Sequence, residues 1–270
     1  MTMPARGLLL TFLFSGLALG SGVVGRWGID AAQVNGLSET GGSSGMLLWI
    51  LAPALLALVF RRLDPATRQR RFFALRGARH TRRAALAVGL LAGAAVAALI
   101  ATGMVFGGLA WAPKPMPAAQ LLVASLSIAL FAILEESAWR GYLLPSLLAR
   151  LRYRSVLGLG ALVWFGWHLP YLEVLTQAYT VEPLSTLAPR LLLGVLAMQF
   201  LYMELFLRWP SVWPAFALHA GMNICAQAAF ASGLSQSSAQ PWLFSPSADG
   251  VLVILLCAGL GAWLRRARQR

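Results

Sequence analysis

The sequence predicts an all-α, polytopic membrane protein with about eight transmembrane helices and with both termini in the cytoplasm. Of its 270 residues, 59% are hydrophobic and only 11% are charged, and the mean hydropathy is +0.70. Soluble domains carry about 25% charged residues, so this composition excludes a water-soluble globular fold. The formal net charge of +13 is compatible either with an anionic partner or with a topology signal, and the positions of the charges must decide.

Eight apolar stretches approach the roughly 20 residues that a helix needs to cross the hydrocarbon core. In chain order they lie near Gly7–Gly25, Ser44–Phe60, Ala84–Ala110, Ala118–Ala149, Ser155–Leu172, Leu187–Leu207, Val212–Ala231 and Val251–Leu264. The second is short and contains Pro53, and the fourth is interrupted by charged residues. The first also has features of a cleaved signal peptide, although its removal would leave an odd number of spans.

The basic residues sort to one side of these spans. If the N-terminus is inside, 18 of the 22 basic residues lie in cytoplasmic segments, namely Arg6, nine arginines from Arg61 to Arg83, Arg150, Arg152, Arg154, Arg208 and four in the tail from Arg265 to Arg270. The positive-inside rule therefore predicts this orientation. The chain has 21 arginines and one lysine, which suggests a GC-rich genome, so we expect the cytoplasmic (inner) membrane of a bacterium.

The basic loop at residues 61–83 is the densest positive segment. Arginine clusters next to a membrane usually contact anionic lipid headgroups, so we expect lipid there and no nucleic acid. His80 lies within this loop and is interpreted as an exposed histidine without a role. Cys225 and Cys257 fall inside predicted spans and are interpreted as small packing residues rather than a disulfide or metal pair.

Several polar groups lie inside the predicted spans, where they are energetically costly and usually mark function. They are Glu135, Glu136, Arg140, His168, His219 and Asn223. Helical rise puts those of spans four, five and seven into an overlapping layer of the membrane. Hydrogen bonds that merely join helices are the alternative explanation for any one of them.

Helix geometry separates the two neighbouring glutamates. Glu136 and Arg140 are four residues apart on one face, where they can form an ion pair. Adjacent residues diverge by about 100°, so Glu135 points elsewhere and has no obvious partner on its own helix. His219 and Asn223 are also four apart and share a face of span seven.

Three motifs in this part of the chain resemble those of the CPBP intramembrane proteases, the group that contains type II CAAX prenyl endopeptidases and bacterial Abi proteins. They are EESAWR at Glu135–Arg140, WFGWH at Trp164–His168 and HAGMN at His219–Asn223, and the resemblance covers about Ala118–Phe230. Each motif is weak alone, but their order, spacing and membrane placement together are specific. Trp164 departs from the family's usual Phe and keeps an aromatic wall.

The resemblance implies a glutamate-type endopeptidase that hydrolyses peptide bonds in or near the membrane. By this resemblance Glu135 is the general base that activates water and His168 orients that water. His219 and Asn223 would donate hydrogen bonds to the oxyanion of the tetrahedral intermediate. The supporting residues would be Glu136, Arg140 and Trp164.

A catalytic zinc is the mechanistic alternative, with Glu135, His168 and His219 as its ligands. The chain contains no HExxH sequence, and the resemblance points to a mechanism without a metal, so we expect no cofactor. Serine and aspartate intramembrane proteases fit poorly. No GxSG motif precedes a suitable histidine, and Asp30, Asp64 and Asp249 lie in or at the edges of loops.

Two other classes of function stay open at this stage. One is a proton-coupled transporter, which predicts inverted repeats that the sequence lacks. The other is a non-catalytic immunity or scaffold protein of the same fold, which has no need for Glu135. As organisation we predict N-terminal helices at 1–117, a catalytic core at 118–231, and a last helix with a basic tail at 232–270. The expected partner is a membrane-embedded or membrane-proximal peptide or protein.

Overall fold

The computed structural model describes residues 3–31, 43–68, 73, 79–177, 180, 182–236 and 241–270. Its α-helices are α1 Met3–Val23, α2 Ser44–Leu63, α3 Pro65–Arg68, α4 Arg79–Val105, α5 Ala118–Ala138, α6 Leu144–Leu148, α7 Tyr153–His168, α8 Leu172–Thr176, α9 Leu184–Arg208, α10 Trp213–Ala231, α11 Pro241–Phe244 and α12 Val251–Gln269. The remaining elements are π-helical turns at Val24–Asp30 and Trp139–Leu143, a 3₁₀ turn at Leu169–Tyr171, and strands β1 Leu109–Trp111 and β2 Leu234–Gln236.

The all-α, polytopic fold class is confirmed, because the structure is 84% helical. Within the described ranges, six helical stretches are long and apolar enough to cross a membrane: Ala5–Asp30, Ser44–Leu63, Arg79–Val105, Ala118–Leu148, Tyr153–Thr176 and Leu184–Arg208. The predicted spans seven and eight are helices α10 and α12, but they are not among these six. His219, Asn223 and Gln227 lower the hydropathy of α10, and α12 ends in an arginine-rich turn.

The third predicted span is too long at its C-terminal end. Helix α4 ends at Val105, whereas the prediction extended to Ala110, which lies in β1. Gly107 has a φ of +71°, a left-handed conformation that ends a helix and that glycine adopts without steric cost. The following strand β1 pairs antiparallel with β2, with Ala110 opposite Ser235. The prediction contained no strand, and this short ribbon is an addition to it.

The chain forms two compact units, each made of two separate stretches. Unit 1 comprises Met1–Phe72 and Leu134–Leu175, and unit 2 comprises Phe73–Ile133 and Thr176–Arg270. The predicted boundaries after residues 117 and 231 do not coincide with the boundaries of these units. The helical stretch Ala118–Leu148 contributes to both units, and the part with the first motif belongs to unit 1.

Unit 1 packs α1 against α2 and α7 around a cluster of aromatic rings. The ring of Phe14 meets those of Phe60 and Tyr142 edge-on, with centroids 5.9 and 4.8 Å apart. Asp30 ends the first π-helical turn and accepts hydrogen bonds from the Ser43 hydroxyl, the Gly45 amide and the Tyr171 hydroxyl. This acid therefore joins the ends of three segments of the unit.

A second buried acid, Asp64, caps the C-terminal end of α2. Its Oδ2 accepts hydrogen bonds from the Ser146 hydroxyl at 2.7 Å and from Arg150 Nη1 at 3.1 Å, and Arg150 Nη2 contacts its Oδ1. Burial raises the pKa of the Asp64 carboxyl, but the hydrogen bonds from Arg150, Ser146 and the Ala66 amide outweigh burial and hold the pKa below its usual value. The charged form is thus the stable one in the folded protein.

Unit 2 packs two pairs of parallel helices through small residues. Helices α4 and α10 touch where Gly89 faces Ala217 and Gly221, and a Cβ added at Gly221 would lie 2.5 Å from the carbonyl oxygen of Gly89. Helices α9 and α12 approach where Gly261 lies against the ring of Phe200. Small residues at such contacts let helix backbones come close, which is the usual way helices associate in a membrane.

We expect Asp64→Asn and Arg150→Gln each to lower the free energy of unfolding by about 3–5 kcal/mol at neutral pH, because each leaves a buried charge without its partner. The parent should lose the Asp64 contribution as the pH falls below about 3.8, the ordinary carboxyl value, and approaches the lowered native pKa. Thermal unfolding in detergent at several pH values measures both effects.

The control for this pair is Arg152→Gln, which removes an exposed arginine two residues away from Arg150. Its melting temperature should stay close to that of the parent, because exposed ion pairs contribute little. An equal loss of melting temperature in Arg150→Gln and Arg152→Gln would contradict the structural role of the Asp64–Arg150 pair.

Candidate active site

The first glutamate of the EESAWR motif is buried and hydrogen-bonded. Glu135 is 3% exposed, and its Oε2 accepts hydrogen bonds from the indole Nε1–H of Trp164 at 3.0 Å and of Trp139 at 3.4 Å. The prediction that Glu135 has no partner on its own helix is wrong, because Trp139 lies one turn further on. Both indoles are neutral donors, so they orient the carboxylate without cancelling its charge.

The second glutamate forms the predicted ion pair. Arg140 Nη1 lies 3.2 Å from Glu136 Oε1, and both side chains are fully buried. The guanidinium carbon of Arg140 also lies 4.4 Å from the centroid of the Trp164 ring, within the range of a cation–π contact. Trp139 and Trp164 thus donate hydrogen bonds to the first glutamate, and Arg140 donates one to the second.

Trp164 connects these two sets of contacts. Its Nε1–H donates to Glu135 while its ring lies against Arg140, the partner of Glu136. The sequence-based interpretation treated Trp164 as an aromatic wall equivalent to Phe, and that interpretation was incomplete. A phenylalanine ring can contact a guanidinium but has no N–H to donate, so the hydrogen bond to Glu135 depends on tryptophan at this position.

The helix changes its winding where the partners of both glutamates lie. The π-helical turn Trp139–Leu143 starts at Trp139, the partner of Glu135, and contains Arg140, the partner of Glu136. All residues of this turn are buried. A π turn rotates the side chains that follow it relative to a regular α-helix, and such turns often occur at functional sites. The motif predicts helix here, but nothing in its spacing predicts the wider turn.

His168 is the last residue of α7, and its tautomer follows from its hydrogen bond. Its Nδ1 lies 2.8 Å from the carbonyl oxygen of Trp164, and because a carbonyl can only accept, Nδ1 carries the proton. In the neutral ring Nε2 is then the acceptor. The ring meets Trp167 edge-on at 4.9 Å and Trp49 at 6.2 Å, so aromatic packing restricts its orientation.

Trp49 is a residue that sequence analysis missed. It comes from α2, and its ring stacks on Trp167 at 4.2 Å and on Tyr171 at 4.7 Å. The indole Nε1–H of Trp49 donates to the Trp167 carbonyl at 2.7 Å, and Trp167 donates back to the Trp49 carbonyl at 3.2 Å. This reciprocal pair holds the His168 end of α7 against a helix that carries no motif.

The third motif lies on α10 in unit 2. His219 is buried and its ring centroid is 6.4 Å from that of Tyr202 on α9, while Asn223 is half-buried one turn further along α10. The predicted residues therefore group as Glu135, Glu136, Arg140, Trp164 and His168 in unit 1, and His219 with Asn223 in unit 2. Tyr202 was not predicted, because it belongs to no motif.

Within the ranges that the structure describes, no group of three or more His, Cys, Asp or Glu side chains is arranged to hold a metal ion. Cys225 and Cys257 are both free thiols, and Cys257 is buried, which agrees with their interpretation as packing residues. The proposed ligand set of Glu135, His168 and His219 draws on residues of both units.

The structure is that of a polytopic helical membrane protein in which Glu135 of the first motif is buried beside Trp164 of the second. A model of the family described as type II CAAX prenyl endopeptidase, Rce1-like, matches residues 115–225, a stretch that contains all three motifs. The resemblance to CAAX prenyl endopeptidases predicted from these motifs is thus confirmed over this stretch. No curated protein matches the chain.

Trp164→Phe should lower the free energy of unfolding by about 1.5–3 kcal/mol, because a buried carboxylate loses a hydrogen-bond donor while the ring contact with Arg140 is kept. Chemical unfolding in detergent measures this loss. The matched control is Trp213→Phe, which removes an indole donor from a neutral acceptor, the Phe73 carbonyl at 3.1 Å. Trp213→Phe should lower the free energy of unfolding by only about 1 kcal/mol. A larger loss in Trp213→Phe than in Trp164→Phe would contradict the special role of Trp164.

Proposed function

We propose that this protein is an intramembrane endopeptidase in which Glu135 activates the water that hydrolyses a peptide bond in or near the membrane. The observation that carries the proposal is the buried position of Glu135 and its orientation by two indoles. Trp139 and Trp164 donate hydrogen bonds to Glu135 Oε2, and the neighbouring Glu136 forms an ion pair with Arg140. A carboxylate held in one orientation in a buried site is suited to accept a proton from water.

The proposed reaction proceeds through a tetrahedral intermediate. Water gives one proton to Glu135, its oxygen bonds to the scissile carbonyl carbon, and the carbonyl oxygen becomes the oxyanion. Glu135 then returns the proton to the leaving amine as the C–N bond breaks. His168, whose Nδ1–H is held by the Trp164 carbonyl, presents Nε2 as an acceptor that would orient the water.

His219 and Asn223 are assigned to the oxyanion by their residue types and by the family match. Both side chains offer N–H donors, and a preorganised donor is worth roughly 3 kcal/mol in the transition state. Their placement one turn apart on α10 supports a shared target. Glu136, Arg140 and Trp164 are supporting residues, because they act on the orientation of Glu135 or balance its charge.

We place the protein as a multi-pass protein of the bacterial cytoplasmic membrane, with a membrane-embedded or membrane-proximal peptide as substrate. Six candidate spans and the family match support the membrane assignment. The arginine bias supports a bacterial source. Residues 69–72 and 74–78 of the basic loop at 61–83, where we expect anionic lipid, lie outside the described residues.

Glu135→Gln should reduce proteolysis by at least about 100-fold, because the amide cannot accept the proton of water. Glu136→Gln should cost less, because it weakens an ion pair and leaves the general base in place. The measurement compares the N-terminal peptides of membrane fractions from cells that carry the parent or each variant. Peptides whose new N-termini depend on Glu135 identify substrates, and the purified protein should then cut the corresponding synthetic peptide.

The matched control is Glu173→Gln, an exposed glutamate in the same unit. It should cut at the rate of the parent, and expression and melting temperature are recorded for every variant. A larger loss in Glu136→Gln than in Glu135→Gln would reverse the assignment of the two glutamates. Equal cleavage by the parent and by Glu135→Ala, His168→Ala and His219→Ala would leave a non-catalytic membrane protein of this fold, or a proton-coupled carrier, as the function.

The proposed mechanism uses no metal. Activity of the purified protein should therefore persist after treatment with a chelator, with elemental analysis to establish that zinc has been removed. Loss of activity that returns when zinc is added back, and not when magnesium is added, would support the alternative in which Glu135, His168 and His219 bind zinc.

A further inference from the structure

A large apolar groove lies in unit 2, and no residue of the EESAWR motif lines it. Its volume is about 350 Å³, and its walls come from α4, α9, α10 and α12. On α4 it extends from Ala84 to Leu99, a rise of roughly 22 Å. Leu91 and Trp263 on its rim are 69% and 63% exposed, so the groove is open at the surface of the protein.

The packing of the four helices shows which of their ends lie at the same end of the groove. Helices α4 and α10 run parallel, because Gly89 faces Ala217 and the later residue Gly93 faces Gly221. Helices α9 and α12 also run parallel, because Phe200 faces Gly261 and Glu204 is bonded to Arg268. Helix α10 starts five residues after α9 ends. The start of α4 and the ends of α9 and α12 therefore lie at one end of the groove.

Arginines are concentrated at this end. Arg83 directly precedes Ala84, Arg208 precedes Trp209, and Arg266 lies two residues after Leu264, and each of these three arginines is exposed. The Arg208 guanidinium lies 5.2 Å from the centroid of the Trp209 ring, which itself lines the groove. Helices α4 and α12 contain no acid, and the one acid of α9, Glu204, is already bonded to Arg268.

We propose that this groove binds an anionic phospholipid, with one acyl chain along α4 and the phosphate at Arg83, Arg208 and Arg266. The roughly 22 Å length exceeds the half-thickness of the hydrocarbon core, about 15 Å, so a chain of one leaflet fits. Tryptophan prefers the membrane interface, and Trp209 and Trp263 lie towards the end with the arginines. Basic pockets between helices on the cytoplasmic side are a known arrangement for acidic headgroups.

The arginines at this end favour a lipid whose headgroup carries a net negative charge over a neutral or zwitterionic lipid. An uncharged lipid would gain binding free energy from the apolar groove but none from the three arginines. Each arginine adds electrostatic attraction for an anionic lipid. Glu135 does not line the groove, and lipid binding should be unchanged in Glu135→Gln. A failure of the lipid proposal and a failure of the proteolytic proposal are therefore distinguishable.

The experiment titrates the delipidated full-length protein in detergent with phosphatidylglycerol or phosphatidylcholine and counts bound lipids by native mass spectrometry. The parent should retain one phosphatidylglycerol at least about tenfold more tightly than phosphatidylcholine. Combined substitution of Arg83, Arg208 and Arg266 by Gln should abolish this preference, and substitution of the same three by Lys should keep most of it. Ala95→Leu, which fills the groove, should weaken retention of both lipids.

The matched control substitutes Gln for three exposed arginines of unit 1, Arg6, Arg152 and Arg154, and so removes the same charge elsewhere. It should bind phosphatidylglycerol like the parent. Equal losses in the two triple variants, or equal retention of both lipids by the parent, would overturn the proposal. Displacement of the bound lipid by a farnesylated peptide would also overturn it, by making the groove a substrate site. If the Gln variant fails to fold, the Lys variant and Ala95→Leu decide the outcome.

Discussion

The constraint on which the site depends is the cost of burying charge, which is large unless each charge has a polar partner. Glu135, Glu136 and Arg140 are all buried, and Trp164 donates its N–H to Glu135 while its ring face lies against Arg140, the partner of Glu136. This single side chain thus links the two parts of the site. Trp164 and Trp139 donate hydrogen bonds to Glu135, and Arg140 donates to Glu136.

The surrounding helices serve that arrangement by holding α7 in position. Trp49 and Trp167 exchange hydrogen bonds between indole and backbone, and their rings stack at 4.2 Å. A buried tryptophan needs a partner for its N–H. Here the N–H of each indole donates to the backbone carbonyl of the other tryptophan, and these two bonds join α2 to α7. The orientation of His168, whose proton is assigned by the Trp164 carbonyl, follows from this packing. The N-terminal helices, which carry no motif, thus support the site directly.

Unit 2 is assembled by a different principle. Its helices associate through small residues, with Gly and Ala between α4 and α10 and with Gly261 against the Phe200 ring between α9 and α12. Because both helix pairs in this unit are parallel, three arginine-rich helix ends meet at one end of an apolar groove. The predicted threading places these same three ends in the cytoplasm, so the packing agrees with the charge pattern for this part of the chain.

Much of the fold followed from local sequence features. Long apolar stretches predicted the helices, and α4 was overextended because hydropathy alone ignores the left-handed turn at Gly107. The ion pair of Glu136 and Arg140 was also predictable, since four-residue spacing places both on one helix face. The hydrogen bond from Trp139 to Glu135 has the same spacing and could have been found by the same rule.

Composition and periodicity by themselves determined that the chain is a helical membrane protein, and the three motifs determined which family it resembles. Both signals are local, because hydropathy and four-residue spacing act within one helix. Only the tertiary structure decided that Trp164 donates to Glu135 and that Trp49 secures the end of α7. It also decided that four helices enclose a groove with arginines at one end. These contacts join residues far apart in the chain, where packing rather than sequence spacing selects the partner.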